Sequence, residues 1–385
     1  MERFYEKLKG IRQYLHQHPE LSGQEFETTA FLREELEKLN IKVLDSSLET
    51  GLIAEIGSGQ PVIALRADID ALPIIEKTGL PYASQNQGVM HACGHDFHQT
   101  SLLGAAELLK AREEEFSGCV RLIFQPAEET SQGARAVLET GLLDDVLAIV
   151  GFHNMPQLKP NQLALSPGGV MAGVEKFKVL VEGTSSHAAR PDLGVDTILS
   201  LTSMIQNLQA LLARTVSPFE SAVLSVTHIE AGATWNVLPQ TGFFEGTIRS
   251  FNPEVGSKLK RDFIRIVENT AANFAAQVEI EWDQTPPVTY NHTELSQLLR
   301  ENAHQLEGVE LVEASPSMAG EDFAFYQEKI PGVFAFIGSN GAAAAPDLHH
   351  DRMTIDDEAF KVSVPFYLQS ALFLLGHYKD RLSKS

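Results

Sequence analysis

Cysteine is almost absent: Cys93 and Cys119 are the only two in 385 residues. Two thiols in so long a chain make no disulfide framework, which excludes a small stapled secreted scaffold and makes the reducing cytoplasm the expected location. Basic residues are scarce beside acidic ones, 30 Lys and Arg against 51 Asp and Glu, for a net charge of −21. A surface of that sign repels polyanions, so neither nucleic acid nor an anionic membrane is an expected partner. Long apolar runs are lacking too: none approaches the roughly 20 residues that span a bilayer. The opening Met1-Glu2-Arg3-Phe4-Tyr5-Glu6-Lys7 leads straight into a charged amphipathic pattern, without the apolar core of a signal peptide.

What remains is the composition of an ordinary globular chain, 43% hydrophobic and 21% charged. Its length suits one large domain and a smaller one. Residues 3–17 and 24–39 carry apolar positions at helical spacing. Apolar, β-branched runs at Val62–Leu65, Val120–Phe124, Leu147–Phe152 and Val333–Ile337 then alternate with helical patterns, one of them from about Gln99 to Glu114. Such alternation predicts an α/β fold, a mostly parallel sheet sandwiched by helices. Between Val174 and Trp282 the rhythm changes to strand, helix, strand, strand, helix, strand, which is the ferredoxin-like α+β order. The expected division is a catalytic domain of residues 1–173 and 286–385 with an inserted domain over 174–285, the Pro286-Pro287 pair marking the return.

The chemistry-bearing residues follow the strands. In an open α/β sheet, ligands bind beyond the carboxyl ends of the strands. Here those ends lead into Asp68-Ile69-Asp70, Glu128-Glu129, His153-Asn154 and Leu348-His349-His350-Asp351, and a further cluster, His91 to His98, stands ahead of a helix. Thiolate, imidazole and carboxylate are the donors that Zn²⁺, Mn²⁺, Co²⁺ or Ni²⁺ accept. Cys93 and His95, two apart around Gly94, can point to the same side of an extended loop. Glu128 and Glu129, being adjacent, point apart, so that one can hold metal while the other serves as general base. Asp68 in its Asp-x-Asp setting suits an orienting role, although both aspartates could also form turns. His91 and His98 read as structural neighbours of the ligands. His16, His228, His292, His304 and His377 read as ordinary surface or core histidines.

At these residues the chain resembles the metal-dependent amidohydrolases that include N-acetyldiaminopimelate deacetylase, hippurate hydrolase and auxin-conjugate hydrolases. The resemblance runs through His18-Pro19-Glu20-Leu21-Ser22, Arg66 to Pro73, His91 to Asp96, Phe124 to Glu129, Trp235-Asn236-Val237, Glu245 to Arg249, Gly320-Glu321-Asp322-Phe323 and Leu348-His349-His350. It implies two divalent metal ions held by Cys93, His95, Glu129, His153 and His349, with the Cys93 thiolate bridging. It also implies Glu128 as proton acceptor and Asp68 as the catalytic aspartate that orients a ligand. His187, Asn236 and Arg249 are implied to bind the substrate carboxylate and the developing oxyanion, and the inserted domain to act as lid and homodimer contact. The implied substrate is a small N-acyl amino acid. One departure stands out: Ser185-Ser186 occupies a place where many relatives have Gly-Gly.

Overall fold

The strand Val62–Asp68 is buried along its whole length, as is Gly118–Gln125. Continuous apolar runs of this kind belong to strands covered on both faces. In the computed structural model, which describes all residues except 284, 343, 384 and 385, the two pair in parallel, with Asp68 opposite Gln125. Val62–Asp68 pairs in parallel with Val146–Met155 on its other side, and that strand in turn with Gly332–Gly338. Four central parallel strands therefore run out in one direction, at Asp68, Gln125, Met155 and Gly338. The expected mostly parallel sheet is present.

The edges differ from the sequence reading. Leu52–Ser58 and Lys42–Val43 extend one side in antiparallel fashion, while Gln162–Ala164 and Glu310–Val312 close the other. Three of these strands are two or three residues long, too short for a periodic signal. Helices Glu2–Gln17, His95–Lys110 and Phe360–Leu382 contribute Leu8, Phe97, Leu102, Phe360, Val364 and Tyr367 to the apolar core of this sheet. The segment Asp357–Leu382 is long and apolar enough to cross a membrane by length and composition, yet 67% of its most apolar stretch lies inside the fold.

The helix expected from Gln99 starts instead at His95. Gly94 precedes it with φ +91°, and a Cβ there would sit 2.4 Å from Asn154 Oδ1. Only glycine allows this close turn, and it places His95 in the helix's first turn.

Chain contacts divide the protein into two units: residues 1–168, 290–315 and 322–385, and residues 169–289 with 316–321. The second contains the strands Gly173–Glu182, Ala222–Ala231, Thr241–Ser250 and Gln277–Trp282 and the helices Thr197–Thr215 and Pro253–Asn273. The strands form one antiparallel sheet, ordered second, third, first, fourth. Phe177, Val179, Phe244, Leu208, Leu259 and Phe263 lie in its core. Asp196 and Asn252 cap the two helices through side-chain oxygens. Residues 316–321 belong here because the backbone of Ser317 bonds to Val170 and Ala172. Such pairing leaves no mark on side-chain periodicity.

Candidate metal centre

Beyond the ends of the central strands, five candidate ligands gather. Cys93 Sγ lies 3.4 Å from His153 Nε2 and 3.3 Å from His349 Nε2. Glu129 Oε1 lies 3.3 Å from His349 Nε2 and 4.0 Å from His95 Nε2. Several overlapping groups have their potential donor atoms within 4.8 Å of one another, two of them being Cys93–His95–His153 and Cys93–Glu129–His349. The sulfur of Cys93 belongs to both. Glu128 groups with His95 and Glu129 within the same limit. His350 stands outside these sets; its Nδ1 meets Asp351 and the Arg352 N–H.

Backbone geometry builds this arrangement. Ala127 and His349 adopt left-handed φ of 51° and 62°, a region costly for residues other than glycine. The turn at Ala127 aims Glu128 and Glu129 back over the strand ends. It is held by the buried Glu25, whose Oε1 accepts from the Ala127 N–H at 2.8 Å. The His349 N–H donates to Ala92 O at 2.9 Å, which ties its loop to the one carrying Cys93.

Two of the imidazoles have their Nδ1 engaged on the side away from the cluster. His95 Nδ1 meets Asp70 O at 2.9 Å and Asp70 Oδ1 at 3.1 Å, and His153 Nδ1 meets Asn154 O at 2.8 Å. A proton on each Nδ1 leaves Nε2 with its lone pair toward the cluster, the tautomer a ligating histidine needs. Asp70 also accepts from Ser22 Oγ at 2.7 Å and the Glu129 N–H at 3.0 Å, so one carboxylate fixes two candidate ligands. Asp68 does something else: its Oδ1 meets His98 Nδ1 at 2.6 Å and lies 3.8 Å from His95 Nε2. The hydrogen bond that orients His95 therefore comes from Asp70, while Asp68 bonds to His98. His98, with Asn154 Oδ1 2.8 Å from its Nε2, has both ring nitrogens occupied.

Burial and the surrounding charges shift the donors' pKa values in different directions. Burial first, and then the carboxylates of Glu129, Glu128 and Asp68, hold the Cys93 thiol well above its ordinary pKa. Burial opposes charge on His95, but Asp68 and Asp70 outweigh it and push the imidazole up to about 10. His153 goes the other way, lowered by burial and then by His98. His95 Nε2 is buried without a hydrogen-bond partner among the described residues. Such an orphaned polar atom is rare and points to a missing partner. A thiol, three imidazoles and a carboxylate in an anionic recess fit borderline divalent cations.

The substrate-binding candidates lie on the second unit. His187 is exposed and pairs with Val237 in a two-stranded ribbon, where the Ala188 N–H donates to Asn236 O at 3.0 Å. Arg249 sits on Thr241–Ser250 and donates from Nη1 to Met318 O. Ser185 and Ser186 are not among the positive-φ positions, so the local backbone is one that serine adopts without a left-handed turn.

The model of peptidase family M20/M25/M40 matches residues 64–372. The chain belongs to this family. It is 46% identical to N-acetyl-L-cysteine deacetylase of Bacillus subtilis, over 97% of this chain and 89% of that protein. It is 38% identical to IAA-amino acid hydrolase ILR1-like 5 of Arabidopsis thaliana, over 90% and 81% respectively. The crystal structure of a dinuclear metal-binding M20 peptidase from Bacillus subtilis superimposes with a TM-score of 0.87, at 42% identity, covering 98% of this chain and 99% of that one.

The sequence reading missed Asp70, Glu25, Asn154 and Asp322. Asp70 carried a signal, being the second aspartate of the Asp-x-Asp; Glu25 looked like any charge opening an amphipathic helix.

Proposed function

We propose that this protein is a hydrolase that cleaves the amide bond of N-acyl, foremost N-acetyl, amino acids, using two divalent cations held by Cys93, His95, Glu129, His153 and His349. The observation that carries it is the pair of donor sets meeting at one sulfur, with Glu128 alongside. Divalent cations at these positions would supply Lewis acidity toward the amide carbonyl and lower the pKa of water. Glu128 accepts the proton of the attacking water and returns it to the leaving amine. Asp70 and Asn154 keep His95 and His153 in the ligating tautomer, and Asp68 keeps His98 in place. His187 serves the developing oxyanion, and Asn236 and Arg249 the substrate carboxylate, for which the planar guanidinium is suited. The relatives named for N-acetyl-L-cysteine and for IAA-amino acids support an acylated amino acid as the substrate class.

The same reading takes Mn²⁺, Zn²⁺, Co²⁺ or Ni²⁺ as the ion, the cytoplasm as the location, and residues 174–285 as a lid that also forms a homodimer. The long strand Ala222–Ala231 at the end of its sheet supports the last point, because an unpaired edge offers backbone groups to a second copy.

The test is hydrolysis of N-acetyl amino acids and matched dipeptides by purified protein supplied with each metal in turn. The expected result is turnover of the acetylated series. For Glu128→Gln, a loss of roughly 10²–10⁴-fold is expected with metal content retained. Undiminished turnover in that variant rules out the role of Glu128, and preference for dipeptides replaces the deacylase reading with a peptidase one.

A further inference from the structure

The motif Gly320-Glu321-Asp322-Phe323 has no part in the chemistry above, yet Asp322 is fully buried and heavily bonded. Its Oδ1 accepts from Arg66 Nη2 at 2.8 Å and Gln125 Nε2 at 2.9 Å, and its Oδ2 from Gln125 Nε2 at 2.9 Å and the Ala134 N–H at 2.9 Å. Its own N–H donates to Glu128 Oε1 at 3.3 Å. Arg66 is buried too, and spans from Asp322 to Asp68 (2.6 Å through Nη1), with Nε on Gln125 Oε1 at 2.8 Å. Tyr326 Oη donates to the same Gln125 oxygen at 2.9 Å.

We infer that Asp322 is a positioning residue for Glu128: its carboxylate, clamped by Arg66, Gln125 and Ala134, fixes the backbone N–H that aims the base. The inference rests on the reading of Glu128 as general base. Two features support it. A buried carboxylate beside a buried guanidinium that already serves Asp68 is expensive to maintain for packing alone, since apolar residues of similar size do as well. The clamp also ties together both flanks of the Glu128 turn, Gln125 before it and Ala134 after it. Beyond Arg66 the chain of bonds continues through Asp68 and His98 to Asn154, the neighbour of His153. The base and a candidate ligand strand thus share one buried frame.

Asp322→Asn tests this sharply. Among the described residues, both carboxylate oxygens accept from N–H donors on each side, so either orientation of the amide sets donor against donor. The expected result is a fall in kcat of about 10–100-fold, the size seen when groups supporting a metal site are removed. KM and metal content are expected to stay near wild type, because neither the substrate sites nor the ligands are touched. Combining it with Glu128→Gln should bring no further loss, as residues acting as one unit are not additive. Gln125→Met, close in volume, serves if Asp322→Asn does not fold, and should shift kcat in the same direction by less. Wild-type kcat in a folded, metal-replete variant overturns the inference, and so does a loss of metal that parallels the loss of activity. If the wild-type protein itself fails to hydrolyse N-acyl amino acids, the functional reading falls instead. Crystal structures then decide this one, a Glu128 carboxylate unmoved in Asp322→Asn counting against it.

Discussion

The two units are organised around opposite materials. The inserted unit has an apolar core in which Phe263 meets Phe177 in a tilted contact, ring centres 4.5 Å apart, and edges against Trp282 at 5.3 Å. Its candidate functional residues sit on the outside. The larger unit has an apolar core as well, but above the strand ends it buries Arg12, His16, Arg66, Asp68, Asp70, His91, His95, Asp96, His98 and Asp322. Burial of charge costs several kcal/mol per ion unless it is paired. The contrast teaches that the inserted unit is built for folding, while the larger unit gives up part of its stability to hold polar groups at fixed positions.

Breaking the polar side should affect chemistry first. Cys93→Ala removes the donor common to both sets, so metal content should drop and hydrolysis should fall by more than the roughly 10–100-fold that accompanies loss of a ligand's hydrogen-bond partner. The unfolding of the inserted unit should be unaffected; metal analysis and denaturation of the same sample check both. Breaking the apolar side should do the reverse. Phe263→Ala leaves a cavity in a fully buried core and should cost about 3–5 kcal/mol of stability by urea denaturation. Metal stoichiometry should remain at the wild-type level. A loss of metal in step with stability would show that the two units do not behave as separate materials.

A smaller effect sharpens the contrast within the larger unit. His16 lies between Asp96 at 3.0 Å and Glu76 at 3.3 Å, and although burial opposes it, these carboxylates raise its pKa to about 9. A raised pKa in the folded state stabilises fully below the unfolded value near 6.5 and loses that contribution as pH rises through 9. On the order of 3 kcal/mol should therefore disappear between about pH 6.5 and 9. Stability curves at the two pH values should differ by that amount more in the wild type than in His16→Gln. A pH dependence unchanged by the substitution would remove His16 as its source.

How much of this could be read in the sequence follows from the same division. The four strands of the inserted unit's main sheet and its two long helices were legible, because side-chain periodicity reports one-sided burial; the two-residue strands Ser186–His187 and Val237–Leu238 were not. The central parallel strands were legible as apolar runs, and their ends pointed to the donors. What stayed hidden was carried by backbone. The left-handed turns at Ala127 and His349, the start of the helix at His95 and the pairing of Ser317 with Val170 and Ala172 depend on φ and hydrogen bonds that no residue type announces. Asp68 and Asp70 are two positions apart on one segment, and only their surroundings separate a partner of His98 from a partner of His95.

A sulfur that belongs to two donor sets makes the two loading steps unequal. If two cations are held as proposed, the first would take the Cys93 thiolate in full, and the second only a share of a charge already spent. Titration with scarce metal should therefore pass through a half-filled species, and the amount of ion supplied, as much as its identity, would set how many molecules are competent at any moment.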